Sequence, residues 1–244
     1  QVDNVQWVAS GDSLFVGTEG GEFTVSESNS GEPLGPANVK LQPQTSKGSI
    51  SIQPAKAAGA TLFVQRSGKK VHEMVYDFNS DSFVVPDVTV LAEHITRPGI
   101  VGIAWEDDRC ILWCVRKDGA LLGFTYDRQQ EVVGWHRHIL GGGARAESCA
   151  VVDAPGAGSE DLYLVAAIDI NGAPRRYLAH LDAGFNIGAD KPEDAFFVDF
   201  GKTVECLTPV TEVPTLAHLE GRTVNVLVDG ATHRDRLVRG GRIV

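Results

Sequence analysis

The residues of this chain that could do chemistry are few and scattered. His136 and His138 stand two apart, a spacing that on a strand turns both imidazoles to one side and suits a metal ion. No third ligand accompanies them. Imidazoles that hold a metal need a partner to orient each ring, so the pair reads as two edge-strand histidines beside Trp135 and Arg137. Glu106-Asp107-Asp108 offers adjacent carboxylates, the raw material of glycoside hydrolysis, but between Trp105 and Cys110 it reads as a solvated turn. Gly141-Gly142-Gly143 is the richest glycine run; no helix signal and no Lys-Ser/Thr pair follows it, so a turn is expected there and not a phosphate cradle. The sequence has no G-x-S-x-G, no H-E-x-x-H and no EF-hand spacing. No catalytic residue, cofactor-binding residue or metal ligand is assigned, and the chain is not read as an enzyme.

Cys110, Cys114, Cys149 and Cys206 are not in C-x-x-C spacing and are expected as reduced thiols, with Cys110 and Cys114 sharing one side of a strand as small core hydrophobes. The net charge of −10 excludes tight nucleic-acid binding by the whole surface, because that affinity comes from Lys and Arg neutralising phosphates. The basic residues are spread out except for a late cluster of Arg234, Arg236, Arg239 and Arg242. With 43% hydrophobic and 22% charged residues the composition is that of a folded globular chain. There is neither an apolar run long enough to span a membrane nor a signal-peptide pattern, and no membrane role is read.

The elements that must carry these residues repeat. Leu14-Phe15-Val16, Leu62-Phe63-Val64, Leu112-Trp113-Cys114-Val115 and Leu162-Tyr163-Leu164-Val165 each lead into a Gly-containing turn, and their leading leucines lie 48, 50 and 50 residues apart. The turns are Gly20-Gly21, Gly68, Asp118-Gly119 and Asn171-Gly172, and an aromatic follows each, at Phe23, Tyr76, Tyr126 and Tyr177. Earlier apolar segments at Ser49–Gln53, Val101–Trp105 and Cys149–Val152, and closing strands at Ser82–Val85 and Val132–His136, make three to four strands per unit. Asp-Gly and Asn-Gly between alternating apolar residues signal hairpins of type I′, which need positive φ at both central positions.

Antiparallel units of about 50 residues are the pattern of β-propeller blades. The fold class is therefore all-β and propeller-like, with a sandwich or barrel as the other arrangement that short strands allow. The units lie near residues 5–30, 48–90, 100–140 and 146–182, within a propeller-like region 1–182. Residues 183–222 read as an irregular insertion and 223–244 as the start of a further blade or a small β-barrel. Gly31–Lys47, with three prolines, reads as a long loop, as does Ala183–Asp194; a strand is expected at Ala195–Phe200. Helical turns are expected at Asp87–His94, capped by Asp87, and at Leu216–Leu219. Trp105, Trp113 and Trp135 occupy matching strand positions and are expected in the sheet-on-sheet core. A start at Gln1 and an end within the strand-like Gly241-Arg242-Ile243-Val244 are expected of a piece of a longer chain.

Several ordered strings resemble the tail nozzle (tail tubular or tail stabilisation) proteins of short-tailed bacteriophages. They are Leu62-Phe63-Val64-Gln65-Arg66, Val71-His72-Glu73-Met74-Val75-Tyr76, Leu91-Ala92-Glu93-His94-Ile95, Leu112-Trp113, Asp118-Gly119-Ala120-Leu121, Phe124-Thr125-Tyr126 and Gly134-Trp135-His136-Arg137-His138. Leu216-Ala217-His218-Leu219-Glu220-Gly221-Arg222-Thr223-Val224 and Val228-Asp229-Gly230 are similar to a further family string, with Ala217 where the family carries an acid. The resemblance covers roughly residues 60–244. It implies a propeller-containing structural subunit of a virion tail, encoded by a phage or prophage and made in the bacterial cytoplasm. Its implied partners are other tail subunits, in a homo-oligomeric ring of six below the portal and adaptor, through which DNA passes without specific binding. An acidic wall fits that passage, since it does not grip phosphates. The alternative from another class is a propeller that binds or cleaves a glycan at a cell surface. A host-type scaffold ranks behind both, for the Gly-His and Trp-Asp pairs of such repeats are missing.

Overall fold

Each of the four apolar segments becomes the second strand of an antiparallel sheet in the computed structural model, which describes residues 3–11, 13–28, 31, 33–153, 158–181, 185, 187–189, 191, 198 and 200–243. The first sheet is β1 (Val5–Ser10), β2 (Leu14–Thr18), β3 (Glu22–Glu27) and β4 (Val39–Thr45), paired in chain order. The second repeats that order with β5 (Ala55–Ala57), β6 (Ala60–Val64), β7 (Val71–Asp77) and β8 (Ser82–Val84). The third does so with β9 (Ile100–Glu106), β10 (Ile111–Arg116), β11 (Leu121–Asp127) and β12 (Val132–His138). A three-stranded sheet of β13 (Arg145–Asp153), β14 (Glu160–Ile170) and β15 (Ala173–His180) follows, then a hairpin of β16 (Thr223–Val228) and β17 (Ala231–Leu237). The fold is all-β and propeller-like: successive strands pair up and down as in blades, and no sheet closes on itself. The aromatics Phe23, Tyr76, Tyr126 and Tyr177 all fall on third strands. No helix among the described residues is long and apolar enough to cross a membrane.

The chain divides into two compact units, residues 1–118 with 122–137, and residues 119–121 with 138–244. In the first unit the alternation of a strand explains how sheets stack. Every residue of β6 is buried, because Leu62 and Val64 join a core with Leu112, Cys114, Leu122 and Phe124, while Phe63 points the other way to Trp7, Phe15 and Met74. A strand buried on both faces is apolar at nearly every position, as β6 is apart from Thr61, and each large apolar side chain contributes about 1.5–3 kcal/mol. Two glycines make room for rings. A Cβ on Gly17 would lie 2.1 Å from the indole of Trp7, its cross-strand partner, and one on Gly123 would lie 2.1 Å from the imidazole of His136.

Several sequence expectations are corrected. Gly31–Lys47 is not all loop, since β4 completes the first sheet there; Pro43 is tolerated because β4 is an edge strand with no further neighbour to bond. The opening strand of the second sheet is Ala55–Ala57 and not Ser49–Gln53. It is set by a tight turn at Ala58-Gly59, both at positive φ, while Ser49 makes only an isolated bridge to Gln65. Cys110 does not share a strand face with buried Cys114; it sits in the turn before β10 at φ 51°. Asn171-Gly172 and Asp229-Gly230 have the doubly positive φ of type I′ turns, whereas at Asp118-Gly119 only the glycine does. Asp87 caps a turn through the Thr89 amide at 2.8 Å, but the helix itself, α1, is Glu93–Thr96. Of the strand expected at Ala195–Phe200, residues 195–197 and 199 lie outside the described residues, as does most of Ala183–Asp194.

Candidate functional site

Of the carboxylates singled out from sequence, Asp107 and Asp108 sit exposed in the turn after β9, as expected, and Glu106 does not. Glu106 ends β9 fully buried, not in a solvated turn: its Oε2 accepts the Trp113 indole N–H at 2.7 Å and its Oε1 lies 3.2 Å from Arg109 Nε. Burying an indole N–H demands such an acceptor, which is why the acid goes inward with Trp113. Glu22 is equally buried and accepts from Ser49 Oγ at 2.7 Å; desolvation raises its carboxyl above the usual range, offset in part by that hydrogen bond. His136 lies edge-on to Trp113 at 6.0 Å with its Nε2 3.3 Å from Thr125 Oγ1, and burial lowers its pKa. Trp135 stacks on Phe124 at 4.7 Å and donates to the Val88 carbonyl, and Trp105 meets Tyr126 edge-on at 6.2 Å. Among the described residues no group of three or more His, Cys, Asp or Glu is placed to hold a metal.

Two concave regions stand out among the described residues. In the first unit an open groove of about 630 Å³ is lined by Asp3, Gln6, Glu19, Ser49 and Arg66, polar throughout apart from Ile50 and Gly20. In the second unit a cavity of about 770 Å³ is walled by Leu140, Leu164, Leu178, Tyr177, Phe200 and Val198, with His138, His180, His218, Lys202, Thr203 and Thr215 among its polar members. Carboxylates and aromatic rings thus line different regions. The second has the composition of a ligand pocket, apolar walls with a few placed polar groups.

That cavity is built from the fourth sheet and the irregular chain after it. On β14 and β15, Ala166 faces Tyr177 and Leu164 faces Ala179 across the ladder. The two alanines leave space that larger side chains would fill. His218 sits on the 3-10 turn Ala217–Leu219, which is fixed by Leu216 and Leu219 in a small core with Val238 and Ile243. Glu220 holds the turn from the other side, accepting from the Gly240 amide at 3.0 Å and the Gly241 amide at 2.6 Å. The imidazole of His218 therefore stands between two rings, 5.9 Å from Tyr177 and 6.1 Å from Phe200. Burial, and secondarily the charge of Lys202, lowers its pKa, so the neutral ring is favoured near pH 7. Lys202 Nζ donates to Thr215 Oγ1 at 3.1 Å.

The repeat marks Tyr177 as an aromatic position and a turn is expected at Leu216–Leu219, but nothing local marks Phe200, Lys202 or Thr215. They come together only through the path of residues 200–216, which no local pattern announces. His138, by contrast, does reach the cavity wall, apart from His136.

No family model matches the chain, and no curated protein matches it. Among solved structures it is similar to a luciferin-regenerating enzyme, at 15% identity and a TM-score of 0.42, over 70% of this chain and 58% of that one. It is also similar to an auxiliary nutrient binding protein from Bacteroides thetaiotaomicron, at 12% identity and a TM-score of 0.40, over 72% and 46%. The chain spans about half the length of these structures, and at such scores neither says what it does.

Proposed function

We propose that this chain is a structural subunit of the tail of a short-tailed phage or prophage, acting through contacts with neighbouring subunits in a ring of six around the DNA exit path. The observation that carries the reading is the ordered series of family-like strings from Leu62 to Gly230. Those strings fall on β6, β7, β10, β11 and β12, on the 3-10 turn that enters β16, and on the turn between β16 and β17. The net charge of −10 fits a conduit that lets phosphates slide. A glycan-cleaving propeller would need paired carboxylates beside aromatic rings in a cleft, and the described linings of the two concave regions hold one kind of group each.

The test is the mass of the full-length protein in solution, measured with and without its tail partners, together with peptide mapping of virions from an induced host. Hexamers and its peptides in purified tails are expected. A monomer under all conditions, absent from virions, would overturn the reading.

A further inference from the structure

The cavity of the second unit is not accounted for by a tail subunit that acts only through its surfaces. We infer that it is a binding site for a small aromatic carboxylate, with the ring held against Tyr177, Phe200 and Leu164 and the acid group at Lys202.

Three independent observations converge on this. The first is size and lining: about 770 Å³ lies within the range of sites for small organic molecules, and its walls are mostly aliphatic and aromatic. The second is charge. In a chain of net charge −10, Lys202 is the one permanently charged side chain among the described lining residues, and no carboxylate stands among them. A carboxylate entering there meets a cation, with no anion among the described lining residues to compete for it. Lys202 is also held in place, because its ammonium group is tied to Thr215, and a held cation gives up less side-chain freedom on binding.

The third is backbone strain. Nine non-glycine residues among those described have positive φ, and two of them, Phe200 at 65° and Thr215 at 66°, line this cavity. Thr215 is the single β-branched residue of the nine, a type for which this conformation is a genuine outlier. Strain of this kind persists where the surroundings over-determine it, and it gathers at binding sites. Here it has a readable effect: Phe200 is set beside His218, and Thr215 is set where its hydroxyl meets Lys202. His218, neutral near pH 7, presents a polar ring edge between two aromatics without adding a second charge.

The experiment is calorimetric titration of the purified chain at pH 7.5 with 2-naphthoate and with the neutral isostere 2-naphthalenemethanol. One site is expected for the acid, with the alcohol at least tenfold weaker. Lys202→Met should weaken the acid at least tenfold and leave the alcohol unchanged. Phe200→Gly should weaken both, at a modest cost in melting temperature: the ring also packs against the Leu216, Leu219, Val238 and Ile243 core, while glycine relieves the strain of φ near 65°. Leu178→Glu, at a side chain 74% exposed, should weaken the acid more than the alcohol and serves if Phe200→Gly does not fold. Equal affinity for acid and alcohol, an acid titration indifferent to Lys202→Met, or no binding at millimolar acid would each overturn the inference. So would several weak sites insensitive to every variant.

Discussion

The second and third sheets and the region after residue 138 are built from the same strands by the same rule, yet they end in opposite states. Around β6, β10 and β11 the side chains close on one another: Leu62, Val64, Leu112, Cys114 and Leu122 are wholly buried, and even the acid Glu106 is sealed in with Trp113. Around β14 and β15 one face carries Ala166 and Ala179, and β15 has five of its eight residues exposed and none fully buried. The chain that then crosses that face, from Phe200 to Leu219, brings rings and polar groups but leaves a cavity. This concavity opens to solvent, and two of the residues in its wall, Phe200 and Thr215, have positive φ. The first region closes its side chains on one another, and the second leaves many of its own exposed.

The sharpest way to test that contrast is to cut one large side chain in each region. Trp113→Ala should destabilise the fold by about 3–5 kcal/mol, because it opens a cavity and strips the buried Glu106 of its indole donor. Leu178→Ala in the other region should stay within about 0.5 kcal/mol. Urea unfolding of both variants reads the difference, and comparable losses would erase the distinction. Gly123→Ala probes packing more gently. Its new methyl group must displace the His136 ring, and a cost of about 1–3 kcal/mol in the same assay is expected, whereas Gly134→Ala on the neighbouring strand, where a Cβ meets nothing within 4 Å, should cost less.

The smallest expected effect is on pH dependence. Burial lowers the pKa of His72, which stacks on Phe63 at 5.7 Å. Below the ordinary value of 6.5 the unfolded chain then holds more protons at this site than the folded one, so its contribution is fully present above that pH and declines as the pH falls. Glu22 acts in the opposite sense: its raised pKa makes its contribution greatest in acid and reduces it as pH rises. Melting temperatures at pH 7.5 and 5.5, for the wild type and for His72→Gln, isolate the histidine. The wild type should lose more on acidification than the variant, and parallel losses would show that His72 is not the group responsible.

Much of the architecture could be read without coordinates. The leucines spaced by about 50 residues mark second strands because a strand between two neighbours must be apolar at consecutive positions, and that is a local property of the chain. Asn171-Gly172 and Asp229-Gly230 mark hairpins because few other residue pairs accept positive φ twice. β4 and β5 were hidden for the same kind of reason inverted: a proline within β4 and an Ala-Gly turn beside β5 are poor strand and turn signals, rescued by an edge position and by neighbouring strands. Glu106 looked like a surface acid because nothing local says that an indole seven residues away will need an acceptor. The cavity lay furthest from view. Phe200, Lys202, Thr215 and His218 share a cavity lining with Tyr177, from positions 23 to 41 residues further along the chain, and the positive φ of a phenylalanine and a threonine runs against their own preferences. The sequence by itself determined the strands, their pairing order and the repeat, because these follow from short-range patterning. Tertiary structure alone decided which polar groups are buried and which rings surround a void, because those depend on contacts between residues far apart along the chain.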